Sequence, residues 1–360
     1  MILTYTAIAV ALFFAMNIGA SGTAASMGAA YGAGAINNKR LAMLLVSFSA
    51  FLGAVIGGGE VVKTISDGII PSSILTVNIV VIILAGATLT LFLANMLGIP
   101  LSTSEVTVGS IIGVGIAYQS LYTEKLLVIV SFWVIVPLIS FVITFVFGKM
   151  IVYAEHRWPQ LKGRGKWAKW LSLLLVAGGC LEAFSAGMNN VANAVGPLVG
   201  ANIMSQQSGL WIGALFVSLG AVTLGGKVLE TNGKKITKLS LLQGSAVSFT
   251  GGVLVIIASL FGLPIPLTQV TTCGILGVGA AKDGVSMLQK GVIKQILMVW
   301  VISPLSSLVV SYFLINLFEE PNPYNLLIIV STIIAALGSI KLSQVVRKEK
   351  RTTYDEGGGI

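Results

Sequence analysis

The chain has 360 residues, 55% hydrophobic and only 10% charged, where a soluble domain carries about 25% charge. With a mean hydropathy of +0.94, these figures exclude a soluble globular protein and imply an all-α, polytopic membrane protein whose surroundings are the lipid bilayer. The net charge of +9 is concentrated in a few loops, where basic residues report orientation, so no nucleic-acid partner is expected.

In chain order, the first crossing is expected over 3–36, followed by 41–56, 73–96, 98–121 and 126–148. The opening stretch MILTYTAIAVALFFAMN has no positive residues ahead of its apolar run, which argues against a cleaved signal. A basic cytoplasmic linker, 151–169, contains His156, the chain's one histidine, read as a solvated loop residue. A second set of crossings follows over 168–204, 209–224, 239–261, 263–286 and 295–317. An extra C-terminal transmembrane helix within 319–343, about 323–342, precedes a polar cytoplasmic tail, 344–360. Cys180 and Cys273 lie in apolar, glycine-rich surroundings and suggest neither a disulfide nor a metal centre.

The two sets spell the same phrases. LGIPLSTSEVTVGSIIGVGIA from Leu97 answers FGLPIPLTQVTTCGILGVGAA from Phe261. GGGEVVKTISDGI from Gly57 answers LGGKVLETNGKKI from Leu224, and AMNIGA from Ala15 answers GMNNVA from Gly187. Trp133 and Pro137 answer Trp300 and Pro304. One unit of about 150 residues is therefore duplicated, giving repeats over 1–150 and 170–318.

Charge sets their directions. The segment from Trp133 runs into the basic linker, whereas its twin starts after Lys290 and Lys294 and ends at Glu319 and Glu320. The segment 41–56 follows Lys39 and Arg40, whereas its twin ends in KVLETNGKKITK. By the positive-inside rule the repeats are inverted. About eleven or twelve membrane segments result, with the N-terminus outside and the C-terminus in the cytoplasm. The segments 98–121 and 263–286 are broken at Pro100 and Pro264, and either cross or re-enter.

Inverted repeats with broken helices are the architecture of secondary transporters, with the site at the midplane. After the breaks come Ser102, Thr103, Ser104, Glu105 and Thr107, answered by Thr268, Gln269, Thr271 and Thr272. A helix restarting there offers unpaired N–H groups and a positive dipole end to an anion. The competing reading is that these hydroxyls only bond back to their own helix. The segments AMNIGASGTAASMG and FSAGMNNVANAVG carry Asn17, Asn189, Asn190 and Asn193. Their carbonyl oxygens suit Na⁺, or else join helices as interhelical hydrogen bonds. Lys and Arg are nearly absent from the spans, so an anion at midplane needs a cation travelling with it. Glu105 and Glu182 are ionisable residues inside spans and hence functional candidates. Glu230 stands near a membrane boundary, either as a coupling carboxylate or as a loop partner of Lys234 or Lys235. No arrangement typical of an intramembrane enzyme appears in a span. An anion channel remains the alternative from another class, although a channel is usually assembled around a shared pore. Glycine-rich faces allow a homodimer but serve internal contacts equally well.

The Gly-x-Pro-hydrophobic-Ser-x-[Ser/Thr] phrase, the GMNNVANAVG segment and Gly-Gly-x-Val-x-x-Thr, each present in two halves, resemble the inorganic phosphate transporter (PiT) family of cation–phosphate symporters. Asn190 stands where the family has an aspartate, and Glu105 and Gln269 stand at its histidines. The resemblance, joined to the physical reading, implies import of inorganic phosphate across the cell (plasma or inner) membrane. Na⁺ is the expected co-transported ion, with H⁺ the less favoured choice, and no cofactor is needed. Ser102, Thr103, Ser104, Thr268, Gln269, Thr271 and Thr272 would hold phosphate. Asn17, Asn189, Asn190, Asn193 and Glu105 would hold Na⁺, with Glu182 and Glu230 as coupling carboxylates. Sulfate is the rival substrate. Phosphate at neutral pH keeps a proton that a carboxylate at 105 would accept, so Glu105 is expected to favour phosphate over sulfate.

Overall fold

A computed structural model describes residues 1–96, 101–163, 165–230, 239–284, 290–319, 321–325, 327 and 330. Among them the regular structure is helical, and eight helices are long and apolar enough to cross a membrane. The extra C-terminal span expected over 323–342, the first Gly-x-Pro break at 98–100, and Lys234 and Lys235 lie largely or wholly outside the described residues.

The first expected crossing is not one helix. Helix α1 (Ile2–Ile18) passes into a π-helical turn, Gly19–Thr23, and the short α2 (Gly28–Gly32) follows. The run GASGT has small side chains that let the backbone widen, and such bulges recur at functional sites. Helix α3 (Lys39–Gly57) starts at Asn38, whose side chain accepts from Arg40 N and Leu41 N. It is followed by α4 (Gly59–Asp67), α5 (Val77–Met96), α6 (Thr103–Ala117) and α7 (Thr123–Arg157). The second repeat comprises α8 (Lys166–Gly200), α9 (Gln206–Leu224), α10 (Leu241–Leu260), α11 (Leu267–Asp283) and α12 (Lys290–Phe318). Ser205 caps α9, and Ser240 with Gln243 forms a capping box on α10. Helices α7 and α8 have 35 residues each, about 50 Å at 1.5 Å per residue. Both run on into the segment expected as a linker, which shortens to the residues between Arg157 and Lys166.

Helices α6 and α11 have 15 and 17 residues, roughly 22–26 Å, short of the ~30 Å hydrocarbon layer. Neither is therefore long enough to cross that layer by itself. The repeats are built into each other. Helix α3 lies against α8, and its twin α9 lies against α1; α7 lies against α11, and α12 against α6. Glycines make these exchanged contacts close. A Cβ on Gly113 would stand 2.4 Å from Leu308 O on α12, and a Cβ on its twin Gly277 would stand 2.4 Å from Phe141 O on α7. The same residue type at the same place in both repeats admits the same helix, as a two-fold relationship requires.

Candidate functional site

The start of α6, the start of α11 and the middle of α8 converge in the interior. Ser102 caps α6, its side chain accepting from Glu105 N. Thr103 donates to Asn190 Oδ1 at 3.1 Å. The one hydroxyl proton of Ser104 is shared between Asn189 Oδ1 at 3.3 Å and Ile265 O at 3.2 Å, and Asn193 Nδ2 donates to Ser104 Oγ at 3.2 Å. These residues are all buried, with Ser104, Asn189 and Asn193 at 0% exposure. Two hydroxyls of the first repeat, Thr103 and Ser104, and three asparagines of the second, Asn189, Asn190 and Asn193, thus form one network.

Within it the asparagines do different things. Asn189 Oδ1 accepts from Ile265 N at 3.0 Å as well as from Ser104, while Nδ2 donates to Ser259 Oγ at 2.8 Å and to Leu263 O at 2.9 Å. Both donors and both acceptor positions of its amide are engaged. Asn189 therefore braces the Gly262–Leu263–Pro264 break from α8. Asn193 keeps a buried Oδ1 without a partner, an acceptor directed into the interior. Asn17 donates to Phe13 O of its own helix at 3.0 Å, just before the π-helical turn. Its amide is thus tied to its own helix rather than to the α6 hydroxyls.

The break at Pro264 is held from a second side by Trp133 of α7, whose Nε1 donates to Pro264 O at 2.8 Å. Trp133 and Ser259 were not read as site residues in the sequence. Trp133 is marked in the sequence by its match to Trp300, whereas no sequence signal singles out Ser259.

Glu105 and Gln269 meet across the two repeats. Gln269 Nε2 donates to Glu105 Oε1, and both side chains are buried. Glu105 Oε2 and Gln269 Oε1 have no partner, nor does Thr107 Oγ1. Deeper along α8, Glu182 accepts from Thr271 Oγ1 at 2.6 Å, so this carboxyl and one predicted hydroxyl belong together. Thr272 instead donates to Thr268 O of its own helix at 2.6 Å, the back-bonded arrangement. Thr268 is half-buried at the start of α11.

Glu230 lies elsewhere. It pairs with Lys39 at 2.6 Å, and the two side chains are 45% and 39% exposed. Among the described residues neither Glu105 nor Glu182 is in an ion pair, and no cluster of three or more His, Cys, Asp or Glu side chains forms a metal site.

A cavity of about 500 Å³ opens over the break, lined in part by Lys63, Asp67, Lys125, Gly262 and Leu263. The backbone pinned by Asn189 and Trp133 thus lies between the mouth of this cavity on one side and the polar network on the other. An anion held there would face first-turn N–H groups of two helices, which an α-helix leaves unpaired, and no Lys or Arg side chain of the network.

A family model described as the phosphate transporter family matches residues 18–168 and 152–311. The sulfate permease CysP of Bacillus subtilis is 53% identical over 354 residues, covering 98% of this chain and 99% of that protein. A putative phosphate permease of Pyrococcus furiosus is 29% identical over 380 residues, covering 82% of this chain and 92% of that protein. A solved structure described as the sodium-dependent phosphate transporter matches with a TM-score of 0.75 at 27% identity, covering 88% of this chain and all of that one.

Proposed function

The chain belongs to the phosphate transporter family, and from that premise we propose that it is a symporter that carries a tetrahedral oxyanion across the membrane together with a cation. The anion favoured is sulfate. The observation that carries the transporter reading is the meeting of two short helices, α6 and α11, from opposite repeats, with Glu105 and Gln269 in contact between them. Alternating access by one repeat moving against the other opens and closes such a site.

Two features support sulfate. One is the 53% identity, over nearly the whole of both chains, to a protein named a sulfate permease. The other concerns Glu105. The expectation that it selects phosphate rests on Oε2 alone, since Oε1 is taken by Gln269 across the repeats. Sulfate carries no proton at neutral pH and asks only for donors, which two helix starts and their hydroxyls supply. Phosphate is the second reading. Asn193 Oδ1, buried and unpartnered, is an acceptor for the proton that phosphate retains, and the structural relative is described as a phosphate transporter.

The need for a co-transported cation follows from the lack of any Lys or Arg in the network, since a desolvated anion without compensation is costly. Asn190 and Asn193 remain as oxygen donors for such a cation, while Asn189 serves as the brace. Na⁺ is one candidate, supported by the description of the structural relative.

Labelled sulfate and phosphate uptake into proteoliposomes, under an inward Na⁺ gradient, an inward proton gradient or neither, tests this. Sulfate accumulating under a cation gradient, with phosphate competing at least ~10-fold more weakly, is the expected result, a margin of about 1.4 kcal/mol. Phosphate accumulating in preference would transfer the substrate to the second reading. Neither anion moving under any gradient would refute the transporter reading.

A further inference from the structure

Resting on the symport reading above, we propose that Glu105 and Gln269 form a proton-binding site, in which one proton rides on Glu105 Oε2 during each transport cycle. The geometry is that of a half-made pair. Gln269 Nε2 donates to Glu105 Oε1, while Glu105 Oε2 and Gln269 Oε1 are both buried without a partner. Exposure is 1% for Glu105 and 5% for Gln269, so water does not serve those oxygens from bulk. With Glu105 ionised, both orphan atoms are acceptors and neither can satisfy the other. With a proton on Oε2, its O–H donates to Gln269 Oε1, and the carboxylic acid and carboxamide close a ring of two hydrogen bonds. One proton thereby satisfies two buried atoms, each of which is expensive to leave unmade.

Ser303 of α12 stands beside Glu105, and its hydroxyl is also buried and unpartnered. It can turn to donate to Oε2 when the proton has left, so the carboxyl has a partner in either state. The elements around Glu105 bring no competing charge into contact with it. Helix α5 has no titratable side chain. Helix α8 carries Glu182, held by Thr271, and Cys180, with Lys166 and Lys169 in its first turn at the far end. Helix α11 carries Cys273, with Lys282 and Asp283 at its far end, and α12 contributes Tyr312 among its described side chains.

The ring joins the start of α6 to the start of α11, residues separated by 164 positions and belonging to opposite repeats. Movement of one repeat against the other therefore opens it. The proton is taken from water on the side from which the anion arrives. It is returned to water on the other side when the ring is broken, with no bond changed other than the Glu105 O–H. Each proton carried offsets one of the two charges of a sulfate ion.

The test uses the full chain in proteoliposomes with an internal pH dye and Na⁺-free medium, measuring protons and labelled sulfate taken up together. The readout is their ratio, which does not depend on how much transport a variant retains. Wild type is expected to take up protons with sulfate, and Glu105→Gln to carry about one proton fewer per anion. Sulfate moving without protons in wild type, or an unchanged ratio in Glu105→Gln, overturns the proposal and leaves the transporter reading intact. Infrared spectroscopy gives an independent decision even if Glu105→Gln does not fold. A protonated-carboxyl band that disappears at alkaline pH and persists in Glu182→Gln supports the site, and absence of any such band refutes it. If no anion moves at all, the transporter reading fails, and the infrared result still decides the proton site.

Discussion

Ser47 of α3 and Ser218 of α9 bind each other's backbone reciprocally: Ser47 Oγ donates to Ser218 O at 3.0 Å, and Ser218 Oγ donates to Ser47 O at 2.9 Å. Helices α3 and α9 are twins in the two repeats, so this is an isologous contact within one chain, the kind a two-fold axis generates. Each hydroxyl uses the other residue's carbonyl, so replacing one serine leaves the opposite bond in place. Ser47→Ala and Ser218→Ala should each cost about 0.6 kcal/mol, the average for interhelical hydrogen bonds in membranes. The double variant should cost their sum, measured as thermal unfolding in detergent. A large coupling between the two would mean that the bonds are not independent.

The tryptophans break that symmetry. Trp133 Nε1 donates to Pro264 O, whereas Nε1 of its twin, Trp300, is buried without a partner. Trp133→Phe removes a bond to the break and leaves a buried carbonyl unmet, so it should destabilise by about 1–3 kcal/mol. Trp300→Phe removes an unmet donor and should be neutral or stabilising. Equal losses from the two substitutions would show that the difference between the tryptophans has no energetic weight.

Asn189, expected as a cation ligand, makes four hydrogen bonds around the break, and we read it as a brace. Asn189→Ala exposes Ile265 N, Leu263 O and Ser259 Oγ to loss of a partner at once, a penalty of several kcal/mol on the ~1–3 kcal/mol scale of one buried unmet group. Transport should fall at every cation concentration, and a higher Na⁺ or proton gradient should not restore it. Recovery at high Na⁺ would return Asn189 to the set of cation ligands.

Much of this was readable beforehand because duplication writes the same physical constraint twice. Repeated glycines mark close helix contacts, and repeated prolines mark where α6 and α11 start. Relations specific to one repeat were harder. The π-helical turn at Gly19–Thr23 has no twin in α8, although both segments are rich in small residues. One partner of Glu230 is Lys39, 191 positions away, too remote for any local charge pattern to indicate. The contact between Glu105 and Gln269 was latent in their matching positions, since residues near a two-fold axis meet their own equivalents.

Glu230 shares an exposed ion pair with Lys39, and such pairs contribute at most ~1 kcal/mol, screened further by salt. A double-mutant cycle of Lys39→Ala and Glu230→Ala should give a coupling below that figure, weakening at high ionic strength. Glu230→Gln should retain cation-driven anion uptake. Loss of coupling in Glu230→Gln, with anion exchange surviving, would restore it as a coupling carboxylate.

Thr271 and Thr272 are adjacent, were expected to act together, and are placed in different roles. Thr271 Oγ1 donates to the buried Glu182 carboxyl at 2.6 Å, whereas Thr272 Oγ1 donates to Thr268 O one turn back at 2.6 Å. Valine keeps the shape of threonine and removes the hydroxyl, so the two positions can be compared at constant volume. At 271 the substitution strips a donor from a buried acidic group, where hydrogen bonds to charged groups are worth about 1.5–3 kcal/mol. At 272 it removes a bond that competes with the helix's own ladder and is nearly dispensable. Thr271→Val should therefore lower both thermal stability and anion uptake, Thr271→Ser should restore them, and Thr272→Val should change stability by less than ~0.5 kcal/mol. The reverse order, with Thr272 the sensitive position, would place the substrate against the outer face of α11 and detach Glu182 from the transport path.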